Sequence, residues 1–123
     1  MQKPKTGTIV WHDLMIDNAD EVRDFYSKVI GWKPDPVDMG GYSDYNMLDS
    51  EGQSTAGLCY RQGSNANLPP QWLIYVAVAD VQKSAYAAVG SGGRIVEGPR
   101  KMGGQDFCVL QDPAGAYLAL VSG

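Results

Sequence analysis

Histidine and cysteine, the residue types that most often bind transition metals or serve as neutral-pH bases and nucleophiles, are scarce in this chain. The one histidine, His12, stands beside Asp13, and the two cysteines, Cys59 and Cys108, are far apart with no CxxC. Zinc and iron sites use three or four protein ligands, so one His and one Asp fall short of a metal centre. A structural or surface role is expected for His12, and Gln71 offers only a lone amide oxygen. Cys108 has no histidine placed in sequence to activate it and no helix N-terminus before it, so a buried, inert thiol is expected. Asp13 is the candidate catalytic group. Desolvated by its neighbours, it would hold its proton to higher pH and serve as a general base. As a carboxylate it would instead pair with a cationic ligand, or simply hydrogen-bond backbone or a Tyr hydroxyl, and these readings stay open.

The chain carries ten Lys and Arg against fourteen Asp and Glu, a net charge of −4, with the basic residues scattered. That balance repels phosphate backbones, so no nucleic-acid partner is expected, and it weakly favours cationic small molecules. Unpaired cysteines and the lack of a signal peptide suggest a cytoplasmic protein with reduced thiols. Apolar runs such as residues 72–78 are too short to span a bilayer, so no membrane partner is expected. A chain of 123 residues fits one domain, 1–123, that buries enough surface to fold without a metal or disulfide.

The elements that must position these groups follow from periodicity. Residues 9–16 alternate as a strand, with Val10, Leu14 and Ile16 on one face and Trp11, Asp13 and Met15 on the other. Asn18 with Glu21 reads as a capping box, and Val22, Phe25, Tyr26, Val29 and Ile30 form a helical stripe closed by Gly31. Strands are expected near residues 32–37, 42–48 and 54–60. A polar stretch, 61–70, with Gly63, Ser64, two Asn and Pro69-Pro70, reads as a linker. The order then repeats: a strand at 72–78, a helix from Val81 capped by Asp80, and strands near 94–99, 106–111 and 116–121. Module 1 is about 8–60 and module 2 about 71–121. Asp49-Ser50-Glu51-Gly52 and Asp112-Pro113-Ala114-Gly115 place the same DxxG turn at the last hairpin of each module, suiting a type I turn.

The strand Val10-Trp11-His12-Asp13-Leu14, the pair Phe25-Tyr26 and Ile30-Gly31-Trp32 resemble the opening of the vicinal oxygen chelate superfamily of glyoxalases, bleomycin-resistance proteins and extradiol dioxygenases. Trp72, Tyr75, Asp80, Gly92-Gly93, Gly98-Pro99 and Asp112-Pro113-Ala114-Gly115 resemble its second module, so the likeness covers residues 8–121. The resemblance implies an α+β fold: two βαβββ modules forming a curved, mixed eight-stranded sheet around an open cleft, helices on the outer face, in a chain expected to form a homodimer, with the modules paired within a chain or swapped between two. It also implies four metal-ligand positions, here occupied by Trp11, Ala56, Leu73 and Ala119, none of which can bind a metal. No metal or other cofactor is therefore expected.

With Val10, Leu14 and Ile16, and Trp72, Ile74, Val76 and Val78, packed under helices, Trp11 and Leu73 point into the cleft. Hairpin register from the DxxG turns then puts Tyr45 and Met47 beside Ala56, and Cys108 and Leu110 beside Ala119. The expected ligand-binding lining is Trp11, Asp13, Met15, Tyr45, Met47, Leu58, Tyr60, Leu73, Tyr75, Cys108 and Tyr117. Phe107, Val109, Leu118 and Leu120 are expected to face the helix, and Phe25, Tyr26 and Trp32 to be core. An apolar floor with Tyr hydroxyls and one acid suits a flat organic ligand. The expected function is metal-independent binding of an aromatic, cationic compound in the bleomycin-resistance manner. The alternatives are a glyoxalase-like isomerase or lyase, or a dioxygenase-type enzyme, and an interaction module whose cleft is filled by its own side chains.

Overall fold

The computed structural model describes residues 3–63 and 66–123; Ser64 and Asn65, within the stretch expected as a linker, lie outside the described residues. The elements run β1 (Ile9–Ile16), α1 (Ala19–Val29), β2 (Lys33–Asp38), β3 (Ser43–Leu48), β4 (Ser54–Tyr60), β5 (Trp72–Ala77), α2 (Val81–Gly90), β6 (Arg94–Met102), β7 (Gln105–Gln111) and β8 (Tyr117–Ser122). The fold is α+β, with β-α-β-β-β occurring twice and the eight strands in a mixed sheet. Among the described residues no helix is long and apolar enough to cross a membrane. The chain divides into two compact units, His12–Trp72 and, around it in sequence, the residues up to Trp11 with Leu73–Gly123.

In the first unit the strand order is β2-β3-β4-β1. β4 runs antiparallel to β3 and parallel to β1, with Leu14 opposite Leu58 and Ile16 opposite Tyr60. Those partners share a face, which α1 covers: Leu14, Ile16, Ala19, Tyr45, Met47 and Leu58 are buried together, with Val22, Tyr26, Trp32, Tyr60 and Trp72 packed against them. Asn18 occupies the N-cap of α1, but its side chain caps nothing. The first turn is held instead by Asp20, whose Oδ1 accepts from the Tyr45 hydroxyl at 2.7 Å. The apolar stripe of α1 splits. Val22 and Tyr26, four apart, face the sheet, while Phe25, expected in the core, is turned about 100° away from Tyr26 and is 55% exposed.

In the second unit the order is β6-β7-β8-β5, with β5 parallel to β8 and Tyr75 opposite Ala119. Gly7 and Thr8 extend it through bonds to Ala77, Gly7 N–H donating to the Ala77 carbonyl at 2.7 Å and Ala77 N–H to that of Thr8 at 2.9 Å. Asp80 caps α2 as expected, its Oδ1 accepting from the Lys83 N–H at 3.1 Å. Val81 and Ala85 of α2 are buried over Cys108, Leu110 and Leu120, with Val76, Val78 and Leu118 alongside.

The two last hairpins have one construction. Asp112 accepts at its carbonyl from Gly115 N–H at 2.9 Å, closing the turn, and its own N–H donates to the Ala116 carbonyl at 2.8 Å. Asp49 repeats both bonds with Gly52 at 3.0 Å and Gln53 at 2.8 Å. Each turn thus adds one residue, the glycine, at φ +80° in Gly52 and +93° in Gly115, making a glycine bulge rather than a simple two-residue loop. The extra residue reverses side-chain parity beyond the turn. In β7 and β8 it pairs Cys108 with Leu120 and Val109 with Ala119. In β3 and β4 a second irregularity at Met47 and Leu48 restores the original parity, so Met47 lies opposite Ala56.

Candidate functional site

The strand register corrects several of the expected lining residues. Tyr45, Met47, Leu58 and Tyr60 belong to the core under α1, and Ala56 shares the face of its partner Met47. The cause is the parallel pairing of β4 with β1: Leu58 must follow Leu14 toward the helix. Cys108 is also displaced. The bulge at Gly115 turns it toward α2 with Leu110, and turns Phe107 and Val109, expected under the helix, to the other face. Leu118 and Leu120 face α2 as expected.

The hydroxyls of the displaced tyrosines brace α1. Tyr45 receives a bond from Arg23 at 2.8 Å, with the guanidinium 5.0 Å over its ring, and the Tyr60 hydroxyl accepts from Asp20 N–H at 3.4 Å. The Tyr45 hydrogen bond to the Asp20 carboxylate, followed by the interaction of the Tyr60 hydroxyl with that same carboxylate, lowers the pKa of Asp20 below its ordinary value.

Two surfaces keep the expected residues. In the first unit the face away from α1 carries Asp13 and Met15, in register with Gly57 and Cys59, and Asn46 lies opposite Gly57. Asp44 joins them, its Oδ1 accepting from Tyr60 N–H at 3.0 Å. Burial pushes the Cys59 thiol strongly up, and the neighbouring carboxylates of Asp13 and Asp44 push it further, so it is a protonated thiol rather than a nucleophile. Burial likewise raises Cys108 to about 11. Gly57, Asp44, Asn46 and Cys59 were missed in the sequence. The alternation of Asp44 and Asn46 with Tyr45 and Met47 carried the signal, once the apolar pair is assigned to the helix side.

In the second unit, Leu73, Tyr75, Phe107, Val109 and Ala119 are buried on the face away from α2, Tyr75 stacking on Phe107 at 5.8 Å. Ala77 and Val121 continue this face in register and line a cavity of about 530 Å³ with Trp11. Lys3, Thr6 and Gln105 give the cavity an ammonium, a hydroxyl and an amide. Of the expected lining residues only Trp11 borders it, and the polar groups from near both ends of the chain had no sequence signature.

Among the described residues no three His, Cys, Asp or Glu cluster in a way that would hold a metal ion. A family of glyoxalase-like domains matches residues 10–121. The chain belongs to the glyoxalase-like domain family. This glyoxalase-like domain is 29% identical over 118 residues to CFP32 of Mycobacterium tuberculosis, a protein named as a candidate glyoxylase, covering 95% of this chain and 44% of the relative. It is 27% identical over 117 residues to the anthracycline biosynthesis protein DnrV of Streptomyces peucetius, covering 94% of this chain and 41% of that protein. The domain therefore spans less than half the length of these curated relatives. Among solved structures, a glyoxalase/bleomycin resistance protein/dioxygenase superfamily member from Vibrio splendidus matches with a TM-score of 0.62 at 14% identity, over 94% of this chain and 100% of that one. Methylmalonyl-CoA epimerase from Streptomyces coelicolor matches with 0.56 at 18%, over 97% and 99%. At such identities the likeness is one of fold, and function has to be argued from the site.

Proposed function

We propose that this domain binds a small organic molecule without a metal, in the cavity beside Trp11. The observation that carries this reading is the cavity itself: about 530 Å³, inside the range of small-molecule sites, with an indole at one wall and a few polar groups at the others. Metal independence rests on residue types. Trp11, Leu73 and Ala119 offer no ligand atom, and neither Ala56 nor Gly57, which replaces it on the face away from the helix, does so. Lys3 at the cavity disfavours a second positive charge. The aromatic part of the expected ligand is kept, and its cationic part gives way to an acidic or carbonyl edge directed at Lys3, Thr6 and Gln105.

Chelator-treated protein titrated with aromatic carboxylates and their amine counterparts, followed by tryptophan quenching and thermal shift, tests the reading. Saturable binding of carboxylates is expected, weakened at least about tenfold in Trp11→Ala. A stoichiometric, chelator-resistant metal, or no shift with any compound at millimolar concentration, would overturn it.

A second reading, a metal-free glyoxalase-like catalyst, is favoured by one feature: the partly buried Asp13 on the face that also carries Asp44 and Cys59. Under that reading Asp13→Asn abolishes turnover of an α-acidic carbonyl substrate while binding persists.

A further inference from the structure

We propose a second ligand site, on the α1 side of the first unit, that takes a planar aromatic bearing one O–H or N–H donor, such as a phenol or an N–H heteroaromatic. His12, Trp32, Thr55, Ala56 and Trp72 line an open cavity of about 230 Å³ there, below drug-sized sites and suited to one ring or two fused rings. Trp32 and Trp72 meet edge to face, centroids 5.9 Å apart at 75°, so they form a corner that a third ring can complete by the same edge and face contacts. The corner is fixed from behind. Tyr26 packs on both indoles, and its hydroxyl accepts the Trp72 Nε1–H at 3.1 Å, so the one donor of Trp72 is already used.

The polar requirement comes from His12. Its Nδ1 lies 3.3 Å from the Thr55 carbonyl, which can only accept, so the neutral ring carries its proton on Nδ1. Nε2 keeps its lone pair and has no partner among the described residues. Among the described residues no Lys, Arg, Asp or Glu lines this cavity, so neither an anion nor a cation is matched by charge. A neutral ring that donates one hydrogen bond to Nε2 satisfies the site. Ala56 leaves the space for it, where a larger side chain opposite Met47 would fill the corner.

The test follows the indole N–H signals of the three tryptophans, assigned from single Trp→Phe variants, while the protein is titrated with 2-naphthol and with its methyl ether. Saturable shifts of Trp32 and Trp72 with 2-naphthol are expected, about three- to tenfold weaker with the ether, which cannot donate. His12→Ala and His12→Phe, at an exposed position, should keep a dispersed spectrum and bind the two compounds equally. Equal affinities in the unsubstituted protein, shifts confined to Trp11, or no saturable shift at all would overturn the proposal.

Discussion

The same hairpin closes both units, but the strands it joins carry different chemistry. Asp49 and Asp112 each fold back on their turns, Oδ1 accepting from Glu51 and Gln53 at 2.9 and 3.0 Å in one and from Ala114 and Ala116 at 2.8 and 3.0 Å in the other. Beyond the turns the units part. In the second unit the sheet face away from the helix is sealed with Leu73, Tyr75, Phe107, Val109 and Ala119. In the first, the corresponding face holds Asp13, Asp44, Asn46 and Cys59, all only partly buried, beside the buried Met15 and Gly57. Backbone chemistry repeats because the topology needs it, whereas the faces are free to diverge once each helix side is packed.

The strongest way to break this comparison is at the sealed face. Phe107 is 2% exposed, stacked on Tyr75 and covered by the Arg100 guanidinium at 4.9 Å. Phe107→Ala should cost about 3–5 kcal/mol, read from urea unfolding, while Cys59→Ala, a smaller truncation on the mixed polar and apolar face, should cost less than about half of that. Similar losses at both positions would mean the first unit's face is packed as tightly as the second's.

Next in size is a backbone approach in the second unit, where α2 ends against β7. A Cβ on Gly93 would lie 2.8 Å from the Gln111 carbonyl oxygen and 3.2 Å from that of Ala88. Gly93→Ala should therefore lower stability by about 1–3 kcal/mol through steric displacement. Gly31, which ends α1, has nothing within 4 Å of such a Cβ, and its cost is that of its φ of +89° alone, about 1 kcal/mol. If thermal unfolding shows Gly31→Ala to be the worse of the two, the close approach of α2's end to β7 is not what selects glycine.

Element order was legible because each element carries a local signal: alternation in β1, the Asp80 cap of α2, Gly31 after α1, and two DxxG turns. The lining was only partly legible because strand facing depends on register, and register turns on single residues. Reading Asp112 to Gly115 as a four-residue turn misses the glycine bulge and inverts Cys108 and Phe107. Ala56 failed for a different reason: no sequence pattern states that β4 runs parallel beside β1 with Leu58 level with Leu14. The cavity at Trp11 draws Lys3 and Gln105 from segments far apart in sequence, which periodicity cannot relate.

A smaller effect sharpens the likeness rather than the difference. Asp49→Ala and Asp112→Ala each remove two hydrogen bonds to backbone N–H groups at the same places in equivalent turns. Each should cost about 1 kcal/mol, and the two losses should agree within about half a kcal/mol in urea unfolding. A much larger loss at Asp112 would show that the second hairpin carries stability the first does not.

The smallest effect lies at the helix starts, where α2 uses a side-chain cap and α1 uses the Tyr45 and Tyr60 hydroxyls on Asp20. Asp20 is held below its ordinary value of 3.8, chiefly by the Tyr45 hydrogen bond. Its carboxylate therefore stabilises the fold above the unfolded-state pKa, and that contribution disappears as pH falls through the lower folded value. Tyr45→Phe keeps the ring beneath Arg23 but removes the hydroxyl, and with it both the bond to Asp20 and the bond from Arg23, letting the Asp20 pKa rise toward 3.8. The variant should melt slightly below the parent at pH 6, and the gap should narrow, to what the lost Arg23 bond leaves, as the pH is taken well below 3.8, where the Asp20 carboxyl is protonated in both proteins. A gap that stays constant down to pH 2 would assign the loss to the neutral contact of Tyr45 with its surroundings, and the electrostatic contrast between the two helix starts would fall with it.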